Sequence, residues 1–406
     1  MKQTTPLTFG RRRFLRTVAA TVASSALQPL SRRFAHAAVA APTDGVSATF
    51  EAVVKGAPRG LAVFTDEANE PLGVATGEGL DGRLFTDLRW LSPGSMITPI
   101  ESFFIRTRTP DQLDRSKPWS VRIGGHVEKE SGFSVDELRA LGVRAAGAHV
   151  LECSGNGRIL HFGMLSCGTF DGVPLPEILK RSRPTSKATR VLISGFDEHS
   201  KASANSTAGA SWVFRPEDLE RSILAVNMNG KPLTSDHGAP VRLLTPGWYG
   251  CTDIKWVNEI RWVDDTQLST SQMQEFADRT HQQGSPFLAK DFQPAIMDQA
   301  AMPVRVEKWA LEGKVIYRIV GVTWGGPKRS RGLVIRCVPK LPSDEKFSPV
   351  TEVSEADGRP WNLWSALWQP KKTGDHAIQL MVNDSTVRTR RLGVGFYTRT
   401  INVDEL

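Results

Sequence analysis

Of the four cysteines in this chain of 406 residues, Cys153 is the one placed where it could do chemistry. It sits in His149-Val-Leu-Glu-Cys-Ser-Gly-Asn-Gly-Arg158, an apolar run that ends in a Gly/Asn-rich turn closed by a guanidinium. A thiolate that holds a soft metal needs a rigid strand behind it, backbone donors near the sulfur and room for a bulky partner. Gly155 and Gly157 permit close backbone approach, and Arg158 adds a charge that is never lost. Two other roles compete. A lone cysteine is more often a small buried hydrophobe. A nucleophilic cysteine needs a base, and His149 on the incoming strand and His161 beyond the loop both read as structural histidines.

A second group of candidates lies in Ser235-Asp-His-Gly-Ala-Pro-Val-Arg242, followed by Pro246-Gly247 and then Lys255. A histidine and an arginine five apart, with a lysine thirteen further on, could clamp a polyanion such as a phosphate. Alone, the same residues also fit a surface turn followed by a strand with an outward arginine. Arg106 is similar, since a strand-end arginine is usually only solvated.

These residues need elements to hold them. Residues 43–95 are Gly/Pro-punctuated and read as irregular structure around a core, ahead of the aromatic strand Phe103-Phe104-Ile105-Arg106. Ser134 with an acid three residues on marks a helix start, and Gly172-Val-Pro-Leu-Pro-Glu-Ile-Leu-Lys180 a helix with proline in its first turn. Short strands are expected at 119–123, 191–195, 241–247 and 254–262, with a hairpin at Asn229-Gly230. Residues 265–300 are polar and punctuated by Gly284-Ser285-Pro286, which predicts a linker. Beyond them, strand-like runs at 308–311, 315–322, 333–338, 362–368 and 376–382 predict a small all-β sandwich. The expected organisation is therefore α+β: a mixed α/β domain at 41–285, then a sandwich at 286–406.

Composition removes several function classes. Apolar content of 40% with 23% charge is that of a globular protein. Seven of the eight net positive charges fall in residues 1–40, so no basic patch remains to bind nucleic acid. That segment carries Arg11-Arg12-Arg13-Phe14-Leu15, an Ala/Val/Thr stretch and small-residue cleavage candidates, the pattern of a twin-arginine export signal. It predicts a periplasmic protein that folds before export, often around a cofactor. No run of about 20 apolar residues predicts a membrane span. With no C-x-x-C-H, no covalently attached haem is expected, and four widely spaced cysteines make no disulfide framework.

Taken in order, Phe103-Phe-Ile-Arg106, Leu151-Glu-Cys-Ser-Gly-Asn-Gly-Arg158, Gly172-Val-Pro-Leu175 and Asn229-Gly-Lys-Pro…His237…Arg242…Lys255 resemble the sulfite oxidase family of molybdenum enzymes over most of residues 95–262. Gly321-Val-Thr-Trp-Gly-Gly-Pro-Lys-Arg329 resembles the glycine-rich arginine segment of that family's immunoglobulin-like dimerisation domain. The resemblance implies a molybdopterin cofactor with Cys153 as the protein's metal ligand. It puts Arg106, Arg158 and Arg329 (with Arg331 as the other choice) around the substrate. Phe104, Ile105, Arg106, Asp197, His237, Arg242, Asp253, Ile254 and Lys255 fall at cofactor-contacting positions. The implied reaction is oxygen-atom transfer to sulfur, with electrons passed to a c-type cytochrome and the chain in a homodimer or a heteromer with that cytochrome.

Three departures from the family pattern bear on the substrate. Residues 263–300 contain no tyrosine where the family has one near the metal, and the nearest candidates are Arg279, Thr280 and His281. Arg108 replaces a usual histidine, and Phe170 a frequent tryptophan. His161-Phe-Gly-Met-Leu-Ser-Cys167 resembles a segment of Sox-type sulfane dehydrogenases, which act on carrier-bound sulfur. The expected functions rank as oxidation of sulfite, then the Sox-type reaction, then a non-enzymatic exported β-rich binding protein.

Overall fold

The computed structural model describes residues 56–66, 70–77, 82–107, 116–196, 210–339, 344–352 and 360–406, all within the unit Thr43–Leu406. The export signal, Arg108 and Asp197 lie outside the described residues. The chain is strand-rich with a few short helices, an α+β fold. No described helix is long and apolar enough to cross a membrane.

Two five-stranded sheets carry the first part. One runs Lys231–Pro232, Ile223–Met228, Leu165–Pro174, Arg144–Glu152, with Arg242–Leu244 also paired to Ile223–Met228. The other runs Ser131–Ser134, Ser120–Gly125, Val257–Val263, Arg190–Gly195, Ser211–Phe214. Only Val257–Val263 against Ser120–Gly125 is parallel in it. Local chemistry explains the punctuation. Ser134 caps the helix Val135–Ala140 by accepting from Glu137 N–H, while the Glu137 carboxylate accepts from Ser134 N–H. The helix Leu175–Arg181 has Pro176 in its first turn, where no amide is needed. Asn229-Gly230 closes the expected hairpin.

The second part also holds two sheets. The five-stranded one is ordered Ala57–Ala62, Ala300–Leu311, Lys314–Trp324, Trp361–Trp368, Thr351–Glu352. The four-stranded one is ordered Ser348–Pro349, Leu333–Pro339, Gly374–Val382, Arg399–Val403. Strand Gly374–Val382 buries His376, Ile378, Leu380 and Val382, a period-two pattern with one face covered. Lys314–Trp324 is buried on both faces, because one side meets the sandwich core and the other meets the first part of the chain. Trp324 Nε1 donates to Glu152, Trp361 Nε1 to Met96 O, and Arg305 Nη1 to Leu91 O.

Two expectations need correction. Ala57–Ala62 is not irregular but an edge strand of the second part, paired with Ala300–Leu311. Residues 265–300 are not an open linker. They contain the helix Ser271–Glu275 and bury Thr270, Gln272, Met273, Phe276, Thr280 and Gln282. Their polar side chains are satisfied by backbone: Thr270 Oγ1 donates to Ser211 O, Gln272 Nε2 to Cys251 O, and Gln282 Nε2 to Gln293 O.

The tightest seam is at Gly321, where a Cβ would overlap the indole of Trp364 and the carbonyl of Met302. We expect Gly321→Ala to cost roughly 1–3 kcal/mol of stability or more, the usual penalty for overpacking a core. A urea unfolding midpoint equal to that of the wild type would contradict this account of the seam.

Candidate functional site

Cys153 is the first residue after the edge strand Arg144–Glu152. Its N–H donates to Met164 O, and its own carbonyl accepts from Asn156 N–H. Asn156 locks the turn from inside: its Oδ1 accepts from Met164 N–H and its Nδ2 donates to Glu152. Cys153 is 7% exposed and packs in a small core with Phe85, Phe103, Phe104 and Leu151. Burial raises the thiol pKa, while the Gly155 N–H and the charges of Arg106 and Arg279 pull it back. Those donors favour thiolate, but not enough to make it free at neutral pH.

Glu152, one residue before, is 1% exposed and the hub of a buried network. It accepts from Tyr397 Oη at 2.8 Å and Trp324 Nε1 at 2.9 Å, and Arg391 Nη1 lies 3.5 Å away. Arg391 also donates to Ser154 O and Arg279 O and stacks over the Tyr249 ring. Burial opposes its charge, but Glu152 and the two tyrosines hold its pKa above the ordinary arginine value.

A partly open cleft has Cys153 in its lining. Phe104, Arg106, Cys153, His237, Arg242, Asp253, Ile254 and Lys255 line it, together with Gly250, Gln272 and Phe276, among others. The structure thus gathers eight of the sequence-selected residues. Arg106 ends the short strand Ile105–Arg106 and donates to Thr107 Oγ1. Lys255 Nζ donates to Thr107 O and Asp236 O. Arg242 is 5% exposed; its Nη1 donates to His237 O at 3.3 Å, and its Nε has no partner among the described residues. Burial lifts Asp253 to about 7 against the pull of Arg242 and the Thr245 N–H. Burial, then the charges of Arg242 and Lys255, drive His237 down to about 3, so it is neutral at pH 7 with Nδ1 against Thr234 Oγ1.

Other selected residues lie elsewhere. Ile105 is buried beside the cleft and does not line it. Arg158 turns away: its Nε pairs with Asp66 at 3.1 Å and its Nη2 donates to Thr398 O. Arg329 donates to Pro360 O and Gly325 O and, with Arg331, borders a different groove that holds His149 and Arg221. The sequence reading missed Glu152, Arg391 and Tyr397. Arg388-Thr-Arg-Arg391, three arginines in four residues inside a β domain, was the available signal.

The residues fit a molybdopterin group. A buried guanidinium whose Nε has no partner among the described residues and a neighbouring lysine suit a phosphate, and a buried thiol in the same lining suits a soft metal. Among the described residues no three His, Cys, Asp or Glu side chains cluster to bind a metal, so Cys153 could hold one only with ligands the cofactor brings. All four cysteines are free and buried.

Comparison with known proteins agrees with this chemistry. Residues 107–271 match the oxidoreductase molybdopterin binding domain. A protein-methionine-sulfoxide reductase catalytic subunit MsrP of Xanthomonas axonopodis pv. citri is 34% identical over 169 residues, 38% of this chain and 50% of that protein. The mitochondrial sulfite oxidase of Drosophila melanogaster is 27% identical over 297 residues, 66% of this chain and 50% of that one. The aligned region thus spans about half the length of these relatives. The crystal structure of the sulfane dehydrogenase SoxCD from Paracoccus pantotrophus shares the fold with a TM-score of 0.58 at 19% identity, covering 94% of this chain and 98% of that one.

Two predictions follow from the geometry. The unfolded chain takes up a proton at His237 near the ordinary pKa of 6.5, and the native state refuses it until about 3. In cofactor-free protein, native stability should therefore fall as pH drops from about 6.5 toward 3, and His237→Gln should flatten that slope in urea titrations. Glu152→Gln puts an NH2 where one carboxylate oxygen accepts hydrogen bonds and strips Arg391 of its counter-charge, and should cost about 3 kcal/mol or more, the low end for breaking a buried pair. An unchanged unfolding midpoint would show that the pair contributes nothing.

Proposed function

We propose that this chain, a member of the sulfite oxidase family of molybdopterin oxidoreductases, oxidises sulfite and passes the electrons to a separate c-type cytochrome after twin-arginine export to the periplasm. The observation that carries the reading is the cleft itself, whose lining brings together a buried thiol, Lys255 and Arg242, whose Nε has no partner among the described residues. The match to sulfite oxidase extends over 66% of the chain against 38% for the methionine sulfoxide reductase, so it reaches beyond the cofactor-binding stretch.

When bound, the cofactor supplies two-electron oxygen-atom exchange at its metal; sulfite gains one oxygen from water, and two protons and two electrons leave. Cys153 would hold the metal, and the Gly155 N–H with Arg106 and Arg279 favours its thiolate. Arg242 and Lys255 would hold the cofactor's phosphate. Neutral His237 donates or accepts there without adding charge. Phe104 and Ile254 exclude water from the cofactor's flank. Arg106, charged at all working pH values, draws the anionic substrate toward the sulfur end.

A second reading, oxidation of carrier-bound sulfur, is favoured by one observation. The segment where the family has a tyrosine presents Arg279 to the sulfur instead, on an exposed turn open to a large substrate. The decisive assay is sulfite-dependent reduction of cytochrome c by the isolated, molybdenum-loaded chain. Turnover with sulfite supports the first reading, and turnover only with a sulfur-loaded carrier replaces it with the second. Cys153→Ser should leave a folded protein with no turnover; retained activity would remove Cys153 as ligand.

A further inference from the structure

Arg279 belongs to the short 3-10 turn Asp278–Thr280, directly after the helix Ser271–Glu275 and Phe276. The residue is exposed, yet its guanidinium leans inward over the Cys153 loop. A Cβ built on Gly155 would lie 2.9 Å from Arg279 Nη1 and 3.7 Å from Cys153 Sγ. Cation and sulfur therefore flank the same point, and the absence of a side chain at Gly155 is what lets them. The guanidinium also stands 5.5 Å from the ring of Phe276, which lines the cleft. No side-chain hydrogen bond ties it down among the described residues.

Its backbone is held far more firmly than its side chain. Arg390 Nη2 and Arg391 Nη2 both donate to Arg279 O, at 3.2 and 3.0 Å. Arg390 Nη1 also donates to Asp278 O, and Arg391 Nη2 to Ser154 O, the residue after the thiol. Two consecutive arginines of the short helix Arg390–Gly393 thus fix the base of a third, whose head remains available beside the sulfur. Arg106 differs: it borders the cleft from inside and is engaged with Thr107.

We propose that Arg279 is the specificity-determining cation of the reacting face, binding a sulfur-linked oxyanion group beside Cys153 whether that group is a free ion or is carried on a larger molecule. This rests on the proposed sulfur chemistry of the same cleft. A planar guanidinium offers paired donors to such an anion, and its exposure leaves the far side of the anion clear for a carrier.

The test uses the full-length loaded chain with Arg279→Gln, Arg279→Lys and Gly155→Ala. The last adds a methyl that collides with the flexible guanidinium and not with backbone, so it displaces the cation without removing it. We expect Arg279→Gln to raise the KM for sulfite about tenfold, the loss of one charge-assisted contact, with kcat changed less than about threefold. Sulfate affinity by calorimetry should fall by a similar factor, Gly155→Ala should reproduce both changes, and lysine should restore part of each. Unchanged KM and sulfate affinity in Arg279→Gln, or a loss confined to kcat, would overturn the assignment. Calorimetry separates this proposal from the sulfite reading: if the chain does not oxidise sulfite but loses sulfate binding with Arg279→Gln, the anion site stands and the reaction assigned to it falls. A short peptide bearing a cysteine S-sulfonate, titrated the same way, distinguishes the sources. Arg279-dependent binding tighter than sulfate assigns a carrier-bound group, and weaker binding a free ion; binding of either probe indifferent to Arg279 counts against the proposal.

Discussion

The buried pair of Glu152 and Arg391 is the constraint on which the site depends. A carboxylate that is 1% exposed is tolerable only if its charge is balanced and its lone pairs are occupied. Arg391, Tyr397, Trp324 and Asn156 do this together, and three of the four come from beyond residue 300. Because Glu152 is the last residue of its strand and Cys153 the next, satisfying the carboxylate also fixes where the sulfur leaves the sheet. Whatever Arg391 gains in charge balance, it uses again in geometry by holding Ser154 O and Arg279 O. A single guanidinium thus ties the thiol loop, the segment after the first domain's strands and the C-terminal sheets.

Several fixed charges gather around the cleft. Arg242 and Lys255 act on neutral His237, and Arg106 and Arg279 act on the sulfur. Keeping His237 uncharged avoids a third cation in a space already too positive to stay desolvated without an anion. The Arg242 Nε without a partner among the described residues reflects the same imbalance, whereas burial is what raises Asp253, against the pull of Arg242. An anionic group seated there would give that donor an acceptor.

Much of this was legible in the sequence where the determining chemistry is local. The Ser134 cap with Glu137, the Asn229-Gly230 turn and the period-two strands after residue 300 each carry their reason within a few residues. The ordered motifs likewise selected eight of the residues that meet in the cleft. What failed was non-local. Residues 265–300 read as a linker because polarity was taken for exposure, whereas Thr270, Gln272 and Gln282 are buried against distant carbonyls. Arg158 looked aimed at the sulfur, but its partner Asp66 lies in a stretch with no readable pattern. Arg391 and Tyr397 sit in a segment between strands whose purpose appears only when Glu152 is beside it.

The sequence distance inside that network has a consequence in time. Tyr397 reaches Glu152 across 245 residues. At ribosomal rates of about 5–20 residues per second, the carboxylate beside the thiol waits roughly 12–50 s for its partners to be made. During that interval the strand end can form, but the loop after it has neither Arg391 nor Tyr397 to settle against. Cofactor capture is thereby placed late in the life of the nascent chain, after the C-terminal sheets have closed over the back of the site.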